Sequence, residues 1–107
     1  MTGTQRHARH RLEDVLASPV RFSIVAALAS VDEAEFAHVR DRVELTDPTL
    51  SKQAIQLETA GLVKIRKGYV GKRPRTWLSL TTDGRKRFGA HLAALREIAG
   101  AADDYST

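Results

Sequence analysis

Residues 46–81, TDPTLSKQAIQLETAGLVKIRKGYVGKRPRTWLSLT, leave few options for the path of the chain. Thr46 stands where a helix N-cap belongs. Asp47 and Pro48 follow in the first turn, where an acid suits the helix dipole and a missing N–H costs nothing. Gly61 sits just past the last helical residue, the position at which a left-handed backbone ends a helix. Leu62-Val63-Lys64-Ile65-Arg66 then alternates apolar and basic, which reads as a strand with one wet face. Gly68 and Gly71-Lys72-Arg73-Pro74 mark an extended basic turn, and Thr76-Trp77-Leu78-Ser79-Leu80 is the returning strand.

The flanks read as helices. Ala8, Leu12, Val15 and Leu16 have amphipathic spacing over about 7–17. Ser18-Pro19 starts a second helix over about 19–29, with Phe22, Val25, Ala26 and Leu28 or Ala29 on its stripe. A third covers about 33–42 and buries Phe36 and Val39. The capped helix spans about 47–60, the wing strands about 62–67 and 76–80, and a last helix about 83–99, with a polar tail after Gly100. Two short helices joined by a tight turn and followed by a hairpin make a winged helix-turn-helix, a mainly α fold with a small β-hairpin. At 107 residues the chain reads as a single domain over 1–107.

Charge concentrates in the same region. Between Thr46 and Arg75 lie seven bases and two acids, a net of +5 in a chain whose total is +4. A basic excess confined to one helix and one hairpin suits a surface that meets phosphates. There is no cysteine, so disulfides and thiolate metal sites are excluded. No apolar run approaches the roughly 20 residues of a membrane-spanning helix, and the first residues lack the apolar stretch of a secretion signal; cytoplasmic residence is the expectation.

With about 100° per residue and Leu50 at zero, Leu57, Ala54 and Gly61 form the core stripe of the helix at 47–60. Thr49, Lys52, Gln56 and Thr59 point the opposite way, and Ser51 and Gln53 lie on the flanks. Glutamine can bond an adenine edge in two places, lysine suits guanine, and the hydroxyls fit base or phosphate. Ile55 is the apolar exception on this side, placed either against a thymine methyl or against the third helix. Arg66, Lys67, Lys72, Arg73 and Arg75 crowd the hairpin with positive charge, a repulsive arrangement that a polyanion neutralises. Lys64 alternates with Arg66, so one of the two belongs to a solvated strand face.

The stretch LSKQAIQLETAGLVKIRKGYVGKRPRTWLSLTTDGR resembles the bacterial winged-helix regulators of the MarR/ArsR type. It is most similar to a short subfamily whose wing reads K-G-(Y/F)-x-G-(K/R)-(R/K)-P-x-T before L-T-x-x-G-R. Lys67 to Thr76 and Leu80 to Arg85 match those patterns, and the similarity covers roughly residues 12–90. The resemblance implies a homodimeric DNA-binding transcriptional regulator, with the helix at 47–60 in the major groove and the wing on the flanking groove. Repression is the default because a small domain with no activation surface can act by occlusion. The chain departs at Gln53, where the family often has His, and at Ala54, where it often has a larger apolar residue. The long additional helices of full-length MarR proteins are absent, so their ligand pocket is not carried over. A small-molecule effector is left unassigned.

Thr49, Ser51, Lys52, Gln53, Gln56, Arg66, Lys67, Lys72, Arg73 and Arg75 are thus the expected DNA contacts. Leu12, Val15 and Leu16, with Phe88, His91, Leu92, Leu95 and Ile98 on the last helix, are the expected dimer interface. His7, His10, His38 and His91 are the histidines; pairing His7 with His10, or His91 with Asp103 or Asp104, matches no compact metal-ligand spacing, and no cofactor is expected. Nothing resembles a nucleophile with its base or a phosphate-cradling glycine loop, so an enzyme is not expected. Two alternatives remain beside DNA binding: a winged-helix protein-interaction module, and a metal- or metabolite-responsive sensor using the dimer interface.

Overall fold

Hydroxyl caps and prolines set the helix starts in the computed structural model, which describes residues 6–103. The Ser18 hydroxyl accepts from the Arg21 N–H at 3.3 Å, and helix α1 (Pro19–Ala29) begins there. It buries Ile24, Val25 and Leu28, leaving Phe22 half-buried and Ala26 exposed. Strand β1 (Ala34–Glu35) comes next, followed by α2 (Phe36–Val43). Helix α3 (Asp47–Thr59) is capped by Thr46, whose hydroxyl accepts from the Thr49 N–H at 3.3 Å. Strands β2 (Val63–Val70) and β3 (Arg73–Leu80) form the hairpin, and α4 (Thr82–Asp103) closes the chain. The antiparallel sheet has the order β1-β3-β2. One core joins these elements through Ile24, Val25, Leu28, Val39, Leu50, Leu57, Leu62, Val63 and Leu78, all fully buried. The winged helix-turn-helix architecture expected from the sequence is therefore present.

Four boundaries differ from expectation, each for a local reason. The segment at 7–17 is not one helix but two 3-10 turns, Ala8–Arg11 and Asp14–Ala17, with Leu12 extended between them. A continuous helix would direct the Glu13 N–H to the Arg9 carbonyl; here that N–H donates to His91 Nδ1 at 3.0 Å. Helix α2 starts at Phe36 rather than about 33 because Ala34 and Glu35 pair with Leu78 and Trp77 of β3. The basic turn is far tighter than expected. Pairing continues to Val70 opposite Arg73, so only Gly71 and Lys72 connect the strands. Gly71 takes φ +63°, the conformation a two-residue hairpin loop demands at its first position. Finally, α4 runs on to Asp103, past the expected end near 99. The side chain of Asp103, and Asp104 entirely, lie outside the described residues.

The L-T-x-x-G-R motif turns out to be a clasp. Thr81 accepts the Gly84 N–H on its hydroxyl at 2.7 Å, which starts α4, and donates that hydroxyl to the Gly61 carbonyl at 2.7 Å. The Thr81 N–H donates to the Leu62 carbonyl at 3.0 Å. Gly84 lies so close to this turn that a Cβ would sit 2.1 Å from the Leu62 carbonyl oxygen. Arg85 reaches back to donate to the carbonyls of Ala29 and Val31 at 3.0 and 2.6 Å, satisfying acceptors at the end of α1. Arg87 donates to the Ala60 carbonyl at 2.8 Å and to the Glu13 carboxylate at 2.6 Å. Four segments meet at one turn.

His91 ties the N-terminal segment to α4. Only 3% exposed, it accepts from Glu13 on Nδ1, with the Phe22 ring centroid 5.8 Å from its own. Desolvation holds its pKa below the ordinary 6.5, with the Glu13 carboxylate pulling weakly the other way. An unfolded chain therefore takes up a proton below about pH 6.5 that the folded chain resists. The associated stability is complete above that pH and declines as pH falls toward the lower folded value.

Two outcomes are expected. Gly84→Ala forces the Leu62 turn aside and should cost about 2 kcal/mol or more in urea unfolding; an unchanged midpoint would contradict the close approach. The thermal midpoint should drop more steeply from about pH 7 to about pH 5 in the native chain than in a His91→Gln variant, which keeps an acceptor but cannot titrate. Parallel slopes would show that His91 is not the titrating group.

Candidate nucleic-acid interface

Helix α3 packs on the core through Leu50, Ala54 and Leu57, and this fixes what its other sides present. Thr49, Ser51, Lys52 and Gln56 are exposed, and Gln53 is half-buried. Asp47 is held by Arg40 of α2 at 2.8 Å, so the one acid at the start of α3 is already neutralised. Gln53 and Gln56 are not free. Nη1 of Arg21, in the first turn of α1, donates to their side-chain oxygens at 3.2 and 3.0 Å.

The hairpin sorts its cations by strand alternation, because residues paired across antiparallel strands share a face. Ile65 pairs with Leu78, Lys67 with Thr76 and Tyr69 with Pro74, on the side that packs toward the helices. Lys64, Arg66, Arg75 and Arg73 occupy the opposite side, with Lys72 in the turn. Two of these cations are occupied. Arg66 makes paired hydrogen bonds of 2.9 and 2.7 Å to the Glu33 carboxylate, and its guanidinium lies 4.0 Å over the Trp77 ring. That guanidinium also holds the Glu33 carboxyl below its usual pKa. Arg75 pairs with Glu35 at 3.3 Å. Among the described residues, neither Lys72 nor Arg73 takes part in an ion pair.

An open groove of about 760 Å3 separates α3 from the hairpin, with Ser51, Ile55 and Glu58 on one wall and Lys67 and Thr76 on the other. Ile55, 54% exposed, belongs to this wall; it does not pack against the third helix alone. Toward the hairpin tip, Tyr69 is 73% exposed.

The residues expected at a dimer interface divide. Leu16, Phe88 and His91 are buried in the chain's own core, where Phe88 lies 5.6 Å from Phe22 between ring centroids. Leu12, Val15, Leu92 and Ile98 are half-buried and Leu95 is exposed. Leu12 and Leu95 border one shallow apolar depression. No group of three or more candidate ligands is placed to hold a metal among the described residues. His7 Nδ1 accepts the Arg9 N–H at 3.0 Å, and His91 Nδ1 is occupied by Glu13.

Sequence reasoning missed Arg21, β1 and the carboxylates Glu33 and Glu35. Only the acids, two residues apart and opposite a basic strand, gave a usable signal.

Residues 20–99 match the family described as the winged helix DNA-binding domain. The chain belongs to that family. An uncharacterized protein of Methanocaldococcus jannaschii is 28% identical over 81 residues, covering 76% of this chain and 88% of that protein. The structure of a transcriptional regulator homologue from Pyrococcus horikoshii superposes with a TM-score of 0.83 at 27% identity, covering 92% of this chain and 99% of the other. At 19% identity, reduced AbfR bound to DNA shares the fold with a TM-score of 0.71, over 85% of this chain and 65% of AbfR. The wing motif's resemblance to MarR-type winged-helix regulators stands with these findings, and the chain is a winged helix DNA-binding domain. Family and fold point to DNA binding. No helix among the described residues is long and apolar enough to cross a membrane.

Proposed function

We propose that the chain is a sequence-specific transcriptional regulator that binds a pseudo-palindromic operator as a homodimer and represses by occlusion. The observation that carries this reading is the adjacency of two exposed surfaces: α3 offers Thr49, Ser51, Lys52 and Gln56 beside a groove whose far wall is the hairpin. Helix α3 enters the major groove, where Lys52, Gln53, Gln56 and Thr49 meet bases and Ser51 meets the backbone. Lys72 and Arg73 at the hairpin tip take phosphates of the flanking groove, and Lys67 supports them from the groove wall. Arg66 and Arg75, engaged by Glu33 and Glu35, act chiefly by stiffening the hairpin root.

Dimerisation uses the surface left outside the core. Leu12 and Val15 of the N-terminal segment, with Leu92, Leu95 and Ile98 of α4, form the two-fold contact. Helix α4 is 22 residues long, about 33 Å, enough to reach beyond the domain and meet a second copy. Two α3 helices then sit about 34 Å apart on one side of the duplex.

A Lys72→Ala, Arg73→Ala double variant should bind all duplex sequences more weakly. Each lost phosphate contact should flatten the slope of log affinity against log salt by about 0.9. Fluorescence anisotropy at several salt concentrations reads both quantities. An unchanged slope would remove the hairpin tip from the interface.

A further inference from the structure

Arg21 lies outside the expected DNA-contacting set, yet its guanidinium spans three parts of the chain. Nε donates to the Val15 carbonyl at 2.7 Å, while Nη1 donates to Gln53 Oε1 at 3.2 Å and Gln56 Oε1 at 3.0 Å. A guanidinium has only donors. Both amides must therefore turn their oxygens toward Arg21 and their nitrogens away from it. The orientation of each amide follows from the chemistry of its partner.

This changes what the helix can read. An unattached glutamine offers a donor and an acceptor side by side, the pattern that matches the N6 donor and N7 acceptor of adenine. With the oxygen turned toward Arg21 and already holding one bond, Gln56 offers a base its amide N–H groups first. Adenine then keeps only its N7 acceptor beside an N6 that opposes donor to donor, whereas guanine offers O6 and N7 together and thymine offers O4 with no such neighbouring donor. We propose that Arg21 is a positioning residue that sets the hydrogen-bonding polarity of α3, making Gln56 a reader of guanine or thymine in place of adenine. The inference rests on the DNA-binding reading above. It also gives the N-terminal segment a direct link to base recognition, because the Val15 carbonyl anchors the same guanidinium.

The test is selection of bound sites from random duplexes by the native chain, Arg21→Met, Gln56→Met and the double variant, with circular dichroism to establish folding. At one position per half-site, the native chain should favour guanine or thymine over adenine on the contacted strand, on the order of tenfold. Arg21→Met frees the amide oxygen and should move that preference toward adenine, leaving the other positions in place. In the Gln56→Met background the same replacement should move nothing, because the coupling runs through that amide. Arg21→Lys, which keeps the charge but not the fork, should fall between native and Arg21→Met and provides the comparison if methionine unfolds the chain. A folded Arg21 variant with native base preferences, or a shift that persists without Gln56, overturns the role of Arg21 alone. A native chain that enriches no duplex overturns the DNA-binding reading itself.

Discussion

The arrangement of α3 and the hairpin depends on the turn Ala60-Gly61-Leu62, where backbone carbonyls meet donors from the start of α4. Thr81 binds the Gly61 and Leu62 carbonyls, Arg87 binds that of Ala60, and Gly84 fits against Leu62 with no room for a side chain. Helix α3 ends and β2 begins inside this contact, so neither can swing without breaking several hydrogen bonds. Arg85 extends the contact to the end of α1. The L-T-x-x-G-R motif thus has a mechanical meaning: it fixes the angle between a helix and a wing.

Electrostatics is then a question of which cations remain unengaged. Strand alternation sends Arg66 and Arg75 to the side where Glu33 and Glu35 wait, and an exposed ion pair there adds little stability but fixes the geometry of the hairpin root. The tip is different. Lys72 lies in the two-residue turn and Arg73 in the strand pair beside it, the part of the hairpin farthest from the core and free of ion pairs among the described residues. A stiff root with a cationic tip suits a hairpin that must reach a polyanion without collapsing onto its own domain.

The legible parts of the fold were those set by neighbours in sequence. Thr46 with Pro48 located the start of α3, Ser18-Pro19 that of α1, and the Leu62-to-Arg66 alternation found the first wing strand. What escaped depends on partners far along the chain. The 7–17 segment has helical spacing, but His91, 78 residues from Glu13, takes the N–H that a helix needs. Ala34 and Glu35 are too few to show a strand pattern and pair with residues more than forty positions away. At the candidate site, the exposed set on α3 followed from helical geometry alone. The amide orientation of Gln53 and Gln56 did not, because Arg21 lies 32 and 35 residues distant. Burial of Leu16, Phe88 and His91 likewise reflects how the ends of the chain fold over one another, which periodicity cannot report.

One measurement bears on whether α3 and the wing engage a duplex as a unit: titration of the isotope-labelled protein with short duplex DNA, followed by amide NMR shifts. Thr49, Lys52 and Gln56 should shift together with Gly71, Lys72 and Arg73, along one binding curve, while Lys64 and Ser79 on the outer side of the hairpin root stay in place. Shifts confined to one of the two elements, or centred on α4, would contradict a shared surface.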